Sequence, residues 1–356
     1  MKNKNSTTIV LTGGGTAGHC MPNFYLLPEL KKHFDNIIYI GSKTGLERDV
    51  CQKYGVRYYA VDSCKLVRGK FWQNLKIPFV LIKSVCQCKR ILCEVKPNII
   101  FSKGGYVALP VAMAGRKLKI PVISHESDFS FGLANKLIMR NCNKMCVNYS
   151  HLANGDKIVY TGPILPDSFG KRSANPPSLN LDKNKKTILV VGGSQGSVFL
   201  NDKLYEARAE LERNYNVIHI VGKKNAGLYK AEGNYNVLDY SNNMSDLYAV
   251  CDIVLGRAGA GVIFESLYSH KPLLLVPLEN KASRGDQLQN ANYFAERGVV
   301  EIIRQNELST QTLMNALNKI STNLAKYNSN IQKLNLPNGK DKTVKLILSN
   351  MKKCSN

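Results

Sequence analysis

Short runs of consecutive apolar residues recur along the chain, separated by longer segments whose apolar residues fall three or four apart. A run that is apolar at every position has no solvated side, so it predicts a strand covered on both faces. The three-to-four spacing between runs predicts the helices that cover them. Strands are predicted over Thr8–Thr12, Asn36–Ile40, Arg57–Val61, Asn98–Ser102, Pro121–Ser124 and Lys144–Val147. A second series follows over Thr187–Val191, Asn216–Val221, Tyr235–Leu238, Asp252–Leu255, Leu273–Pro277 and Val299–Ile302. This alternation predicts an α/β fold with parallel sheets. Residues 161–186 break the pattern: Gly162, Pro163, Pro166, Gly170, Pro176 and Pro177 sit among polar residues with little periodicity, which predicts a linker and an exposed loop. The chain is therefore expected to form two Rossmann-like domains, 1–162 and 163–340, with parallel sheets facing an interdomain cleft. A last helix over 341–356, after the turn Pro337-Asn-Gly339, is expected to pack back on the first domain.

A length of 356 residues and a hydrophobic content of 44% suit two such cores. Met1–Thr8 is polar and basic, without the apolar centre of a secretory signal, and no uncharged apolar run reaches the length of a membrane span; a cytosolic protein is expected. The ten cysteines are scattered with no CxxC pair, which predicts free thiols used as small hydrophobes rather than a disulfide framework or a zinc site. The formal charge of +23 is concentrated in residues 1–162, where 24 Lys and Arg face nine Asp and Glu. Such an excess attracts phosphorylated ligands, anionic lipid or nucleic acid, and by itself does not choose among them.

Each half opens with a strand running into glycines: Ile9-Val-Leu-Thr-Gly-Gly-Gly-Thr-Ala-Gly-His19 and Ile188-Leu-Val-Val-Gly-Gly-Ser-Gln-Gly196. Glycine lets a backbone approach a diphosphate at a helix N-terminus. The first turn matches the dinucleotide pattern GxGxxG, yet the second strand leads to Ser42-Lys43 with no acid for a ribose, which argues against NAD; Lys43 leaves NADP open. His19 follows the turn and is placed to remain a neutral base at a positive helix end. Ser102-Lys-Gly-Gly-Tyr106 and His125-Glu-Ser-Asp128 also follow strands, so His19, Tyr106, His125 and Glu126 are expected to converge on one rim.

In the second half, Gly256-Arg-Ala-Gly-Ala-Gly261 offers amides for a diphosphate, and Glu265 lies where a carboxylate accepts from a ribose diol. Ser283-Arg-Gly-Asp-Gln287 follows the next strand, where the sugar of a nucleotide-sugar would end. No Asp-x-Asp pair occurs, so helix ends rather than a metal are expected to hold the diphosphate, and no cofactor is expected. From Ser63 to Cys93 there is no acid, while Lys65, Arg68, Lys70, Lys76, Lys83, Lys89 and Arg90 surround Phe71, Trp72, Leu75, Phe79 and Ile82. An apolar patch ringed by basic residues suits an anionic bilayer surface.

Taken in order, Gly14-Gly-Thr-Ala-Gly-His19, Gly104-Gly-Tyr106, His125-Glu126, Gly132-Leu-Ala-Asn-Lys136, Gly192-Gly-Ser-Gln-Gly196, Arg257-Ala-Gly259 with Glu265, and Asp286-Gln287 with Asn290-Ala291 resemble the MurG family. These are peptidoglycan N-acetylglucosaminyltransferases of the GT-B class, glycosyltransferase family 28, and the likeness runs from about Thr8 to Val299. The resemblance implies UDP-N-acetylglucosamine as donor, lipid I (an undecaprenyl-diphosphate-linked acceptor) and lipid II as product, made at the cytoplasmic face of the membrane with segment 63–93 as its docking region. It implies donor contacts at Thr16, Ala17, Gly18 and Asp128, with Ser194 and Gln195 at the diphosphate and the backbone of Ser241–Met244 at the uracil. It further implies Glu265 at the ribose and Asp286 and Gln287 at the sugar. One departure stands out: the family's Pro-x-Arg reads Gly162-Pro-Ile-Leu-Pro166 here, without the arginine.

The expected chemistry is one inverting displacement, with His19 as first candidate for general base and Glu126 as second. A transferase acting on another lipid, a UDP-N-acetylglucosamine 2-epimerase and an NADP oxidoreductase remain alternatives. A nucleic-acid binder gives no reason for three glycine-rich strand–helix turns.

Overall fold

A computed structural model describes residues 6–65, 71–169, 178–193, 195–279 and 285–352. The chain divides into two compact units, Met1–Pro166 with Pro337–Asn356, and Asp167–Leu336.

In the first unit the strands are β1 Thr8–Thr12, β2 Asn36–Ser42, β3 Arg57–Val61, β4 Ile99–Ser102, β5 Val122–Glu126, β6 Lys144–Val147 and β7 Ile158–Tyr160. They form one parallel sheet in the order β3-β2-β1-β4-β5-β6-β7. The apolar runs explain why this sheet is buried twice over. Val10, Ile38, Ile40, Ile100 and Val122 enter one core with Val85, Cys88 and Leu92 of helix Ile77–Val95. Their neighbours Ile9, Leu11, Tyr39, Ile99, Phe101 and Ile123 enter a second core with Cys20 and Phe24 of helix Ala17–Tyr25. Successive side chains of a strand point to opposite faces, so an uninterrupted apolar run fills both cores. Val344 and Ile347 of helix Gly339–Asn350 belong to that second core.

The second unit repeats the plan with β8 Lys186–Val191, β9 Tyr215–Ile220, β10 Tyr235–Leu238, β11 Ile253–Gly256, β12 Leu273–Leu275 and β13 Val300–Ile302. Their parallel order is β10-β9-β8-β11-β12-β13. In both sheets the strand order reverses beside the opening strand, between β1 and β4 and between β8 and β11. That reversal leaves a crevice at the carboxyl ends of the strands, the place where open α/β sheets bind ligands. The glycine turns after β1, β4, β8 and β11 all begin there.

All twelve predicted strands are present with small changes at their ends. The thirteenth, β7, was not predicted; it is a three-residue edge strand, half-buried throughout, and so lacks the apolar run that marks the others. The described cysteines are all free, and Cys20, Cys51, Cys88, Cys142, Cys146 and Cys251 are buried, as expected of small hydrophobes. Ser194, Ser283, Arg284, residues 66–70 of the basic segment and residues 170–177 of the linker loop lie outside the described residues.

Candidate active site

The crevice of the first unit is built on close contact between two glycine turns. Gly13 has φ +154° and its carbonyl accepts a 2.8 Å hydrogen bond from the buried Tyr39 hydroxyl on β2. Tyr39 in turn accepts from Asn23, which also donates to the carbonyl of Thr12. Gly105 has φ +83°, and a Cβ there would stand 2.8 Å from the Gly14 carbonyl and 3.5 Å from the His19 ring. A Cβ on Gly15 would stand 2.5 Å from the Tyr106 ring. Glycine is therefore required for the turns after β1 and β4 to meet, which sets His19 beside Gly105 and Tyr106 against Gly15.

Thr16, exposed, is the N-cap of helix Ala17–Tyr25 but makes no side-chain cap bond. Its Oγ1 lies 3.0 Å from His19 Nδ1 instead. With the imidazole proton on Nδ1 donated to Thr16, the lone pair of a neutral ring resides on Nε2. His19 is half-buried, and Ala17 and Gly18 flank it at the same helix end.

His125 and Glu126 are both buried at the end of β5. His125 is fully buried; its Nε2 faces the Gly162 carbonyl at 3.3 Å, and Nδ1 has no partner. Burial, then the nearby Lys103 cation, hold its pKa well below the ordinary imidazole value. His125 thus braces the chain where it leaves the sheet. Glu126 is equally enclosed. Its Oε1 accepts from the amides of Ser127 (2.8 Å) and Asp128 (3.1 Å), and its Oε2 from the amide of Gly132 (3.1 Å) and from Asn135 Nδ2 (2.9 Å). A carboxylate so engaged positions the loop 127–132.

Lys103, on the turn after β4, is the residue that sequence reasoning passed over. It is buried beside Gly13, its Nζ meets Ser127 Oγ, and burial lowers its pKa to about 8 against the opposing pull of Glu126 and Asp128. A buried cation faces the Glu126–Asp128 loop directly. Removing the acid leaves the amides of Ser127, Asp128 and Gly132 and the Asn135 Nδ2 without their charged acceptor, and stranding such buried donors costs about 3 kcal/mol or more. Glu126→Ala is therefore expected to lower the free energy of unfolding by about that amount, read as a lower denaturation midpoint in urea. An unchanged midpoint contradicts the role given to Glu126.

In the second unit the crevice is tied by side chains. Ser197 caps helix Val198–Glu206 through its Oγ, which accepts from the Leu200 amide, and the same atom accepts from Arg257 Nε at 3.1 Å. Arg257 Nη1 donates to the carbonyls of Val276 (3.0 Å) and Pro277 (3.3 Å). The guanidinium is nearly buried and joins the turns after β8, β11 and β12. Asn290 donates to the Ala258 carbonyl, and Gln287 Oε1 accepts from the Leu278 amide, so helix Asp286–Ala295 is fastened to the same rim. Gln195 is exposed, and Gly259 opens helix Ala260–Tyr268 with no side-chain cap and no atom near its missing Cβ. Backbone amides thus line an open helix end, the arrangement that receives a phosphate.

Glu265 lies on that helix. Its Oε2 accepts from the Tyr248 hydroxyl at 3.2 Å, and burial raises its pKa to about 7. Ser241 and Met244 lie at the start of helix Met244–Val250, where Ser241 Oγ accepts from the Asn243 amide, and Asp286 is the first residue of its helix. Lys43, left open as a phosphate contact, is ion-paired with Asp62 at 2.6 Å, so the NADP reading loses its cation. Among the described residues no three His, Cys, Asp or Glu side chains are grouped to hold a metal.

Comparison with known proteins follows the same division. The glycosyltransferase family 28 N-terminal domain matches residues 9–147 and the C-terminal domain of that family matches residues 187–347. A UDP-N-acetylglucosamine–N-acetylmuramyl-(pentapeptide) pyrophosphoryl-undecaprenol N-acetylglucosamine transferase of Lachnospira eligens is 40% identical over 351 residues, 97% of this chain and 99% of that protein. The enzyme of the same name from Clostridium botulinum is 41% identical over 347 residues, 95% of this chain and 98% of that protein. Among solved structures, MurG of Acinetobacter baumannii aligns with a TM-score of 0.75 at 23% identity, over 96% of this chain and 99% of that one. The calicheamicin glycosyltransferase CalG4 aligns at 0.73 with 13% identity, over 97% and 98%. Both structures carry the two-domain glycosyltransferase fold, and at these identities the likeness speaks for fold alone.

Proposed function

The chain belongs to glycosyltransferase family 28, with the pyrophosphoryl-undecaprenol N-acetylglucosamine transferases, and on that premise we propose that it moves N-acetylglucosamine from UDP to lipid I, giving lipid II. The observation that carries the assignment is near full-length identity of about 40% to such transferases, with each family domain matching one of the two sheets.

The second unit takes the donor. The open end of helix Ala260–Tyr268 and the capped turn at Ser197 receive the diphosphate, Glu265 accepts hydrogen bonds from the ribose hydroxyls, and the backbone at Ser241–Met244 meets the uracil. Asp286 and Gln287 face the sugar. The first unit supplies the base. Nε2 of His19 removes the proton from the 4-hydroxyl of the acceptor sugar as that oxygen bonds to the anomeric carbon. The bond from that carbon to the β-phosphate breaks with inversion, and UDP leaves with its electron pair. Helix ends stabilise the departing charge, and no divalent ion is required.

A lipid-linked acceptor places the reaction at the membrane face, on the cytosolic side, and no described helix is long and apolar enough to cross a bilayer. Trp72 is 82% exposed and Phe79 76%, while Leu75 and Ile82 are also exposed. Helix Ile77–Val95 buries Ser84, Val85, Cys88 and Leu92 and leaves Phe79 and Ile82 outward, with Lys76, Lys89 and Arg90 exposed on the same segment and Lys83 paired with Asp62 at 2.9 Å. Large exposed apolar side chains among cations fit an anionic bilayer, each nearby cation adding about 1 kcal/mol of attraction. The double change Trp72→Ala and Phe79→Ala is expected to weaken binding to phosphatidylglycerol vesicles at least tenfold, while turnover of a water-soluble lipid I analogue is kept. Sedimentation with vesicles checks this, and undiminished binding removes the docking surface.

The transfer itself is tested by product: disaccharide forms from UDP-N-acetylglucosamine and a short-chain lipid I analogue. A diacylglycerol acceptor, or release of UDP-N-acetylmannosamine with no acceptor present, identifies the competing transferase or epimerase.

A further inference from the structure

Tyr248 has its ring wholly removed from solvent, in the second unit, on helix Met244–Val250. Phe169 packs on it with ring centroids 5.3 Å apart. Its hydroxyl donates to Glu265 Oε2 at 3.2 Å, on the next helix, Ala260–Tyr268. Glu265 Oε1 has no partner among the described residues, and a Cβ on Gly261 would stand 3.9 Å from it, in ordinary contact. The carboxylate is thus held by one oxygen and presents the other.

We propose that Tyr248 is a positioning residue for nucleotide recognition: it fixes Glu265 by Oε2 so that the carboxylate meets the ribose hydroxyls, and it joins the uracil helix to the ribose acid. This rests on the assignment of Glu265 to the ribose of UDP. The packing explains why tyrosine is needed. Two helices carry two parts of one nucleotide site, and a free glutamate rotates about three side-chain bonds. A hydrogen bond from a ring clamped by Phe169 removes that freedom before the nucleotide arrives, so less ordering remains at the moment of binding. The bond also favours the ionised carboxylate against burial, which alone drives Glu265 upward. The titratable side chain that meets Glu265 from a neighbouring element is Tyr248. Arg257, on the preceding turn, is committed to Ser197, Val276 and Pro277.

Calorimetric titration of the full chain with UDP and with 2′,3′-dideoxy-UDP, in the wild type and in Tyr248→Phe, tests the assignment. The phenyl ring keeps the contact with Phe169, so the melting temperature stays within about two degrees. UDP is expected to bind about fivefold more weakly to Tyr248→Phe, the worth of one ordinary hydrogen bond, while 2′,3′-dideoxy-UDP binds as before. The pH below which UDP affinity falls also moves upward, because the lost bond had favoured the carboxylate. In a Glu265→Gln background the second substitution adds less than twofold, since no carboxylate remains to be aimed. Equal weakening of both nucleotides, or an unmoved pH dependence, makes Tyr248 a packing residue and overturns the proposal. If the wild type binds the two nucleotides equally, the ribose assignment falls and the proposal falls with it. Wild-type discrimination that persists unchanged in Tyr248→Phe removes the proposal alone.

Discussion

His19→Ala is expected to lower turnover about a thousandfold while UDP binds within twofold of the wild-type affinity. Removing a positioned general base typically costs between a hundredfold and ten-thousandfold. Glu126, the second candidate base, already accepts four hydrogen bonds from its own loop and the helix that follows it. His125 is enclosed and faces the Gly162 carbonyl. The binding half of the prediction rests on the proposed contacts to the nucleotide, Glu265 and the helix ends of the second unit, while Thr16, Ala17 and Gly18, expected near the donor, keep their backbone in His19→Ala. His19→Gln keeps a polar contact to Thr16 and should fall nearly as far, because an amide takes no proton. Steady-state rates with calorimetric UDP titration decide it. Turnover within tenfold of the wild type would show that another group is the base.

Glu265→Ala is expected to weaken UDP about thirtyfold, on the order of 2 kcal/mol, with kcat for saturating donor reduced far less. Hydrogen bonds to a charged group are worth about 1.5–3 kcal/mol. The pH dependence gives a second handle. Burial raises the Glu265 pKa to about 7 in the unliganded protein, and two ribose hydroxyls donate best to the ionised form. Affinity is then fully present above about pH 7 and declines as pH falls through that value; in Glu265→Ala that decline shrinks to the part set by the UDP phosphate, which titrates at about pH 6. Titrations between pH 5.5 and 8.5 read both effects. A variant that keeps the wild-type slope places the titrating group elsewhere.

Much of this arrangement was legible in the chain, because the signals were local. Buried strands announce themselves as apolar runs such as Ile188–Val191, and glycine turns must follow strands to be useful, so the crevice-forming segments were visible before any packing was known. β7 escaped because Ile158–Tyr160 is half-buried and too short for a run to stand out. The site was harder. His125-Glu126 and Gly256-Arg257 look like ligand groups in sequence, since both follow strands. Only packing shows that His125 lies under Gly162, that Glu126 caps its own loop, and that Arg257 spans three turns. Lys103 was hidden for the opposite reason. A lysine next to glycines reads as a surface charge, and nothing local reveals that Ser127 and Glu126, more than twenty positions on, enclose it. Tyr248 was invisible in the same way: its partner Glu265 is on another helix, and the sequence between them carries no periodic link.

The most direct test is one reaction mixture: purified protein, UDP-N-acetylglucosamine labelled in the sugar, a short-chain lipid I analogue, and excess EDTA. The account predicts labelled disaccharide-lipid and an equal amount of UDP, at a rate unchanged by the chelator and nearly abolished by His19→Ala. Absence of labelled lipid when both substrates are present, or a rate restored only by added magnesium, would contradict it.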